Sequence, residues 1–181
     1  MKDLMLDIET LGTKYGSIIT QIGACYFNRF TGEIGEELSL NIDMLDGARE
    51  GFKMDVGAVA FWFYQPNKSF LEKTIQMRSA FEIYRKFAKK AQCVWSHSTF
   101  DFSMIQDACD RLGIEQIHAY RKTKDIRTLM ELAGTHKDDD QPEVSREDAH
   151  DALADCKHQV GYCVKAFNII LTCHLLAKKR S

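Results

Sequence analysis

Leu4-Met5-Leu6-Asp7-Ile8-Glu9 is the stretch on which the fold of this 181-residue chain turns. Side chains of a strand alternate between its faces, so Leu4, Leu6 and Ile8 point one way and Met5, Asp7 and Glu9 the other. The two carboxylates therefore share a face, with their Cα atoms roughly 6.5–7 Å apart. At that spacing they can converge on one ion, or on two ions about 3.5–4 Å apart. Hard cations such as Mg²⁺ and Mn²⁺ favour carboxylate oxygens. Thr10-Leu11-Gly12 follows as a turn, which puts the acids at the C-terminal end of the strand. Taken alone, the stretch reads equally well as an edge strand showing two acids to water. Acids further along the chain decide between the two.

Downstream, residues 17–27 are nearly continuous in apolar character and predict a central strand. Asn28-Arg29-Phe30-Thr31-Gly32 supplies turn residues, and residues 33–42, with Ile34, Leu38, Leu40 and Ile42 apolar, predict a half-buried strand. Three consecutive strands make an antiparallel meander. Residues 43–54 read as a loop. Asp55 caps a helix over 56–64 that carries Trp62, and Pro66 stops it; Trp62 suits either a base stack or, better, helix packing. Ser69 caps a short helix near 70–76, and Ser79 caps another in which Phe81, Tyr84, Phe87 and Ala88 recur at helical spacing.

Residues 92–96 predict a short buried strand, followed by a helix over 100–112 capped by Ser98 or Thr99 and ended by Gly113. Asp101 falls in its first turn, just beyond the end of a strand. Sites of open α/β sheets gather there, although an acid in that position also complements the helix dipole. Residues 117–120 predict a further short strand. Arg121, Lys122, Lys124 and Arg127 form a basic cluster suited to phosphates or to a solvated face, and Asp125 caps a helix to about Leu132. Residues 134–144, with three consecutive aspartates and Pro142, read as a loop. A long helix fills about 150–177. His150 and Asp155 are five residues apart. Both inside a helix, they would point about 140° apart, so they converge only if His150 precedes the helix, which then starts near Asp151.

Length and the lack of a Pro/Gly/Ser-rich linker predict one domain over 1–181. The net charge of −2 gives no global pull toward nucleic acid. No signal-peptide layout and no apolar run near the length of a membrane span is evident, so no membrane partner is expected. The six cysteines form no CxxC pair and read as reduced thiols of an intracellular, cytoplasmic protein; Cys156, His158 and Cys163 match no common zinc spacing.

Asp7-Ile8-Glu9-Thr10-Leu11-Gly12, then Ser96-His97-Ser98-Thr99-Phe100-Asp101-Phe102, then His150-Asp151-Ala152-Leu153-Ala154-Asp155 together resemble the motifs of the DEDDh (DnaQ-like) 3′→5′ exonucleases. Within that group the chain looks most like the phage and prophage branch of DexA-type exodeoxyribonuclease and exonuclease VIII, with similar mycobacterial-type exoribonucleases. The Trp62 region and Asp125-Ile126-Arg127-Thr128-Leu129 share the likeness, which covers residues 3–165. One departure is Ala154, where the family often has an acid. The resemblance implies an α/β, RNase H-like fold: a mixed central sheet with a three-strand antiparallel start, flanked by helices. It implies a bacterial or phage-infected cell, single-stranded nucleic-acid 3′ ends as substrate, two divalent cations (Mg²⁺ or Mn²⁺) as cofactors, and nucleoside 5′-monophosphates as products. A homo-oligomer is compatible with it.

By the same resemblance Asp7, Glu9 and Asp155 hold the metal that activates water. Asp7 bridges to a second metal supported by Asp101, and His150 is the general base. Thr10 and Leu11 sit against the terminal nucleotide, Arg127 binds substrate, and Phe102 either stacks on a base or packs under its helix. His97 has no assigned role. An RNase H-like endonuclease shares the fold and the acids but does not rely on this histidine. A non-catalytic nucleic-acid-binding module is the third reading, and an intact acid set argues against it.

Overall fold

A computed structural model describes residues 1–97, 99–136 and 149–178. Five strands, β1 (Asp3–Thr10), β2 (Ile19–Phe27), β3 (Ile34–Asn41), β4 (Cys93–Ser96) and β5 (Thr123–Asp125), make one sheet of order β3-β2-β1-β4-β5. The first three form the antiparallel meander that their sequence calls for, and β4 and β5 join parallel to β1. The fold is RNase H-like, as expected.

The period-two pattern of β1 sorts the core into two layers. Leu4, Leu6 and Ile8 enter one layer with Phe81 and Tyr84 of α3 (Met77–Ala88) and Met104 and Ile105 of α4 (Asp101–Leu112). Met5 enters the other with Ile126 and Leu129 of α5 (Ile126–Ala133) and Cys156, Val160 and Cys163 of α6 (Ala152–Lys178). Asp7 and Glu9 therefore face the α6 side, under the beginning of that helix.

Two residues of β2 let α6 come so close. Gly23 pairs with Asp7 across the strands, and a Cβ on it would lie 2.2 Å from the carbonyl carbon of Ala152. Gln21, opposite Glu9, accepts from the Ala152 amide at 2.8 Å and donates to Asp151 Oδ2 at 3.0 Å. Gly23→Ala must push the helix start outward. We expect it to cost about 1–3 kcal/mol through overpacking and to draw Asp155 away from Glu9. Urea denaturation measures the loss, and wild-type stability would contradict this account of the packing.

The Asp55 cap over α2 (Val56–Tyr64), the Asp125 cap over α5 and the start of α6 after Asp151 stand as the sequence reads. The Asp151 carboxylate accepts from the Leu153 and Ala154 amides at 3.2 and 3.1 Å. Other expectations are corrected. Residues 43–54 hold a short helix, α1 (Met44–Arg49), capped by Asp43; six residues are too few to show an apolar period. Ser69 begins only a 3₁₀ turn, Ser69–Leu71, and its hydroxyl bonds Asp151 Oδ2 at 3.0 Å. Ser79 lies inside α3, which starts at Met77 because Asp46 Oδ2, from α1, accepts the Met77 amide at 2.8 Å. Helix α4 begins without a side-chain cap after Phe100, and Ser98 lies outside the described residues. Residues 117–120 are no strand, since His118 turns inward to the Tyr84 hydroxyl at 2.7 Å. The aspartates at 138–140 and Pro142 also lie outside the described residues.

The expectation about membrane-spanning length is corrected as well. Helix α6, at 27 residues, is long and apolar enough by length and composition to cross a membrane. The sequence conceals this because Lys157, His158 and Lys165 interrupt the apolar residues. Its first half packs on the sheet through Cys156, Val160 and Cys163, while Leu171, Leu175 and Leu176 are exposed. All six cysteines are free thiols.

Candidate active site

Four acids reach one place from three elements. Asp7 and Glu9 come from the end of β1, Asp101 from the first residue of α4, and Asp155 from the first turn of α6. They line one cleft of about 440 Å³ with His97, Phe100, Arg127, His150, His158, Gln159 and Tyr162. Within it, donor atoms of Asp7, His97 and Asp101 lie within 4.8 Å of one another, and so do those of Glu9, His150 and Asp155.

The electrostatics are those of charge held without its counter-charge. Asp7 is 8% exposed and Asp101 2%. Burial, then the charges of Asp101, Glu9 and Asp155, push the Asp7 carboxyl well above the usual carboxylate range, against a hydrogen bond from Gln159. Burial, then Asp155 and Asp101, raise Glu9 to about 8. Burial raises Asp101 to about 7 and Asp155 to about 6. Among the described residues no lysine or arginine forms an ion pair with any of the four. Among the described residues, Asp101 Oδ2 and Gln159 Oε1 are buried without a hydrogen-bond partner. Buried carboxylates lacking counter-charge are costly, and dications are the partners that carboxylate donor sets suit. The residues present thus fit divalent metal ions.

His150 is placed by a tight turn. Its φ is +62°, a left-handed conformation that histidine tolerates better than bulkier residues do. The turn brings the ring beside Glu9 and Asp155 although the helix begins only at Ala152. Phe61 and Trp62 stand edge-on to it, at 5.0 and 6.0 Å between ring centroids. Asn67 Nδ2 donates to the Ala149 carbonyl at 3.4 Å, so the 61–69 segment braces the turn. Burial lowers the His150 pKa, which favours the neutral ring.

The other residues expected at the site fare unequally. Among the described residues Arg127 is the one lysine or arginine lining the cleft. The rest of the basic cluster is spent elsewhere: Lys122 Nζ donates to the Ala91 carbonyl, Lys124 Nζ to the Arg121 carbonyl, and Arg121 lies over Tyr120. Thr10 is half-buried; its carbonyl accepts from the Trp62 indole at 2.9 Å, and its hydroxyl donates to the Gly12 carbonyl at 2.6 Å. Trp62 is accordingly a packing residue. Leu11 is 4% exposed, with its side chain packed in the core. Phe102 is not brought into the cleft: it lines a separate groove, edge-on to His118 at 5.5 Å, so the packing alternative holds.

Sequence reading missed Gln159, whose Nε2 donates to Asp7 Oδ1 at 2.7 Å. A signal was present, because Gln159 follows Asp155 by one helical turn and so shares its face. Phe100, His158 and Tyr162 were missed too, although His158 and Tyr162, three and seven residues beyond Asp155, lie on the same helical face.

The sheet is RNase H-like, with acids gathered at the end of its central strand. The chain belongs to the 3′-5′ exoribonuclease Rv2179c-like domain family, which matches residues 2–167. Among solved structures it is similar to E. coli exonuclease I in complex with a dT13 oligonucleotide, at 16% identity and a TM-score of 0.64, covering 90% of this chain and 40% of that one. Exonuclease I from Methylocaldum szegediense gives 16% identity and a TM-score of 0.66, covering 94% of this chain and 42% of that one. A full-length 3′-exonuclease gives 10% identity and a TM-score of 0.58, covering 92% and 81%. The chain thus spans about two-fifths of the length of exonuclease I. The comparison with curated proteins gave no match.

Proposed function

We propose that the chain is a metal-dependent 3′→5′ exonuclease of the DEDDh type. It would remove nucleoside 5′-monophosphates from single-stranded ends of DNA or RNA, as one exonuclease domain over 1–181. The observation that carries the reading is the convergence of Asp7, Glu9, Asp101 and Asp155 with His150 in one cleft. Family membership and the likeness of the motifs to the DexA-type and exonuclease VIII branch support it.

Asp7, Glu9 and Asp155 would hold one cation, and Asp7 with Asp101 a second. When bound, such a pair supplies an activated water and charge stabilisation at the attacking and leaving oxygens of a phosphodiester. The remaining work falls to the protein. A neutral His150 ring nitrogen accepts the proton of the attacking water. Gln159 holds the Asp7 carboxylate in place through Oδ1. Arg127 pairs with a substrate phosphate. The Thr10 hydroxyl oxygen accepts from the terminal 3′-OH, while Leu11 anchors that turn from within the core. Phe61, 44% exposed beside His150, offers a ring for the terminal base.

The test is to incubate the protein with Mg²⁺ or Mn²⁺ and 5′-labelled DNA and RNA, single and duplex, with an EDTA control. A ladder shortening from the 3′ end, abolished by EDTA, is expected. Internal cuts would favour an endonuclease, and no cleavage of any strand by folded, metal-loaded protein would favour a binding module. His150→Ala should lower the rate about 10²–10⁴-fold and leave Mn²⁺ affinity unchanged by calorimetry. A loss of affinity instead would make His150 a ligand rather than the base.

A further inference from the structure

His97 stands outside the proposed hydrolytic set, yet it occupies the same cleft. The residue directly follows β4, and a ring nitrogen lies within 4.8 Å of carboxylate oxygens of both Asp7 and Asp101. A separate observation points to a ligand at this place. Asp101 is 2% exposed, and among the described residues its Oδ2 has no hydrogen-bond partner. A buried carboxyl oxygen left without a partner is costly, and a cation beside it removes that cost. The Tyr162 hydroxyl, 3.5 Å from His97 Nε2, helps orient the ring.

We propose that His97 donates an imidazole nitrogen to the cation held by Asp7 and Asp101, so that this position takes Mn²⁺ in preference to Mg²⁺. The inference rests on the two-cation reading of the cleft and deepens it. Mg²⁺ demands oxygen donors and near-ideal octahedral geometry, whereas an imidazole among carboxylates suits first-row transition ions. Two carboxylates and one nitrogen therefore shift the choice of metal at one position without altering the acids themselves.

The experiment is Mn²⁺ and Mg²⁺ binding by calorimetry, with ¹⁴N electron spin-echo modulation of bound Mn²⁺. All proteins carry His150→Ala, so that ring contributes no nitrogen. His97→Ala and His97→Gln are each expected to weaken one Mn²⁺ site about tenfold or more, to weaken Mg²⁺ less, and to lose the modulation arising from this position. If the alanine variant does not fold, the glutamine variant carries the comparison. Unchanged Mn²⁺ affinity and modulation in both His97 variants would overturn the proposal. Asp7→Asn separates the parent reading. Mn²⁺ binding that depends on Asp7 but not on His97 sinks the nitrogen donor alone, whereas binding indifferent to Asp7 sinks the two-cation cleft.

Discussion

Asp7→Asn should reduce hydrolysis about a thousandfold or more while raising the urea midpoint of the metal-free protein above pH 7. Both effects follow from one arrangement. Asp7 is buried among three other acids, and its charged form is disfavoured by that burial and by their charges. An amide of the same shape removes the charge yet can still accept the Gln159 hydrogen bond. The proposed cations, however, lose the one carboxylate common to both positions. Sites built for function often store such a cost. Steady-state rates with Mn²⁺, together with urea unfolding in EDTA, measure the two arms. Retained activity would sink the site assignment. Lost activity with lowered stability would mean that the Asp7 charge supports the fold.

The metal-free protein should also lose stability as pH rises from about 6.5 to 8, and divalent cations should reverse the loss. The folded-state pKa values of Glu9, about 8, and Asp101, about 7, stand above their ordinary values. Over that interval the folded chain keeps protons that the unfolded chain has released. Stability then falls with pH, by about 1.4 kcal/mol per pH unit for each proton difference. Because the acids interact, the decline belongs to the group rather than to any single residue. Below about 6.5 histidines oppose it. Burial lowers His118 to about 4 and lowers His150, so the unfolded state binds their protons first and stability rises with pH there. Cations replace the protons above pH 7, so Mg²⁺ or Mn²⁺ should raise the melting temperature most at pH 8. Thermal melts in EDTA and in Mn²⁺ across pH 6–9 check this; a flat EDTA profile would contradict the charge balance of the cleft.

What the sequence shows of this molecule is what depends on near neighbours. The alternation in β1 sorts Leu4, Leu6 and Ile8 from Met5, Asp7 and Glu9, and the two core layers follow it. Asp55 and Asp125 cap their helices through carboxylates that bond amides two or three residues on. The start of α6 follows from helix geometry once His150 and Asp155 must meet. Parts made by distant residues escape such reading. The α3 start depends on Asp46, 31 residues earlier, and Ser69 caps nothing because Asp151, 82 residues later, takes its hydroxyl. Phe102, beside the motif acid, reads as either a base-stacking or a packing residue, and only the turn of α4 shows that it goes to His118. The cationic run 121–127 dissolves because each lysine finds a carbonyl close by. Gly23 carries no chemistry of its own, and its importance is visible only when α6 lies on top of it.

The metal site in the cleft is open to direct observation in crystals grown with Mn²⁺ and a nucleoside 5′-monophosphate and measured for manganese anomalous scattering. Anomalous peaks are expected in the cleft, in contact with the Asp7 carboxylate, with the monophosphate between them and Arg127. Manganese bound elsewhere on the molecule, with Asp7, Glu9, Asp101 and Asp155 free of it, would rule out a metal-dependent site here.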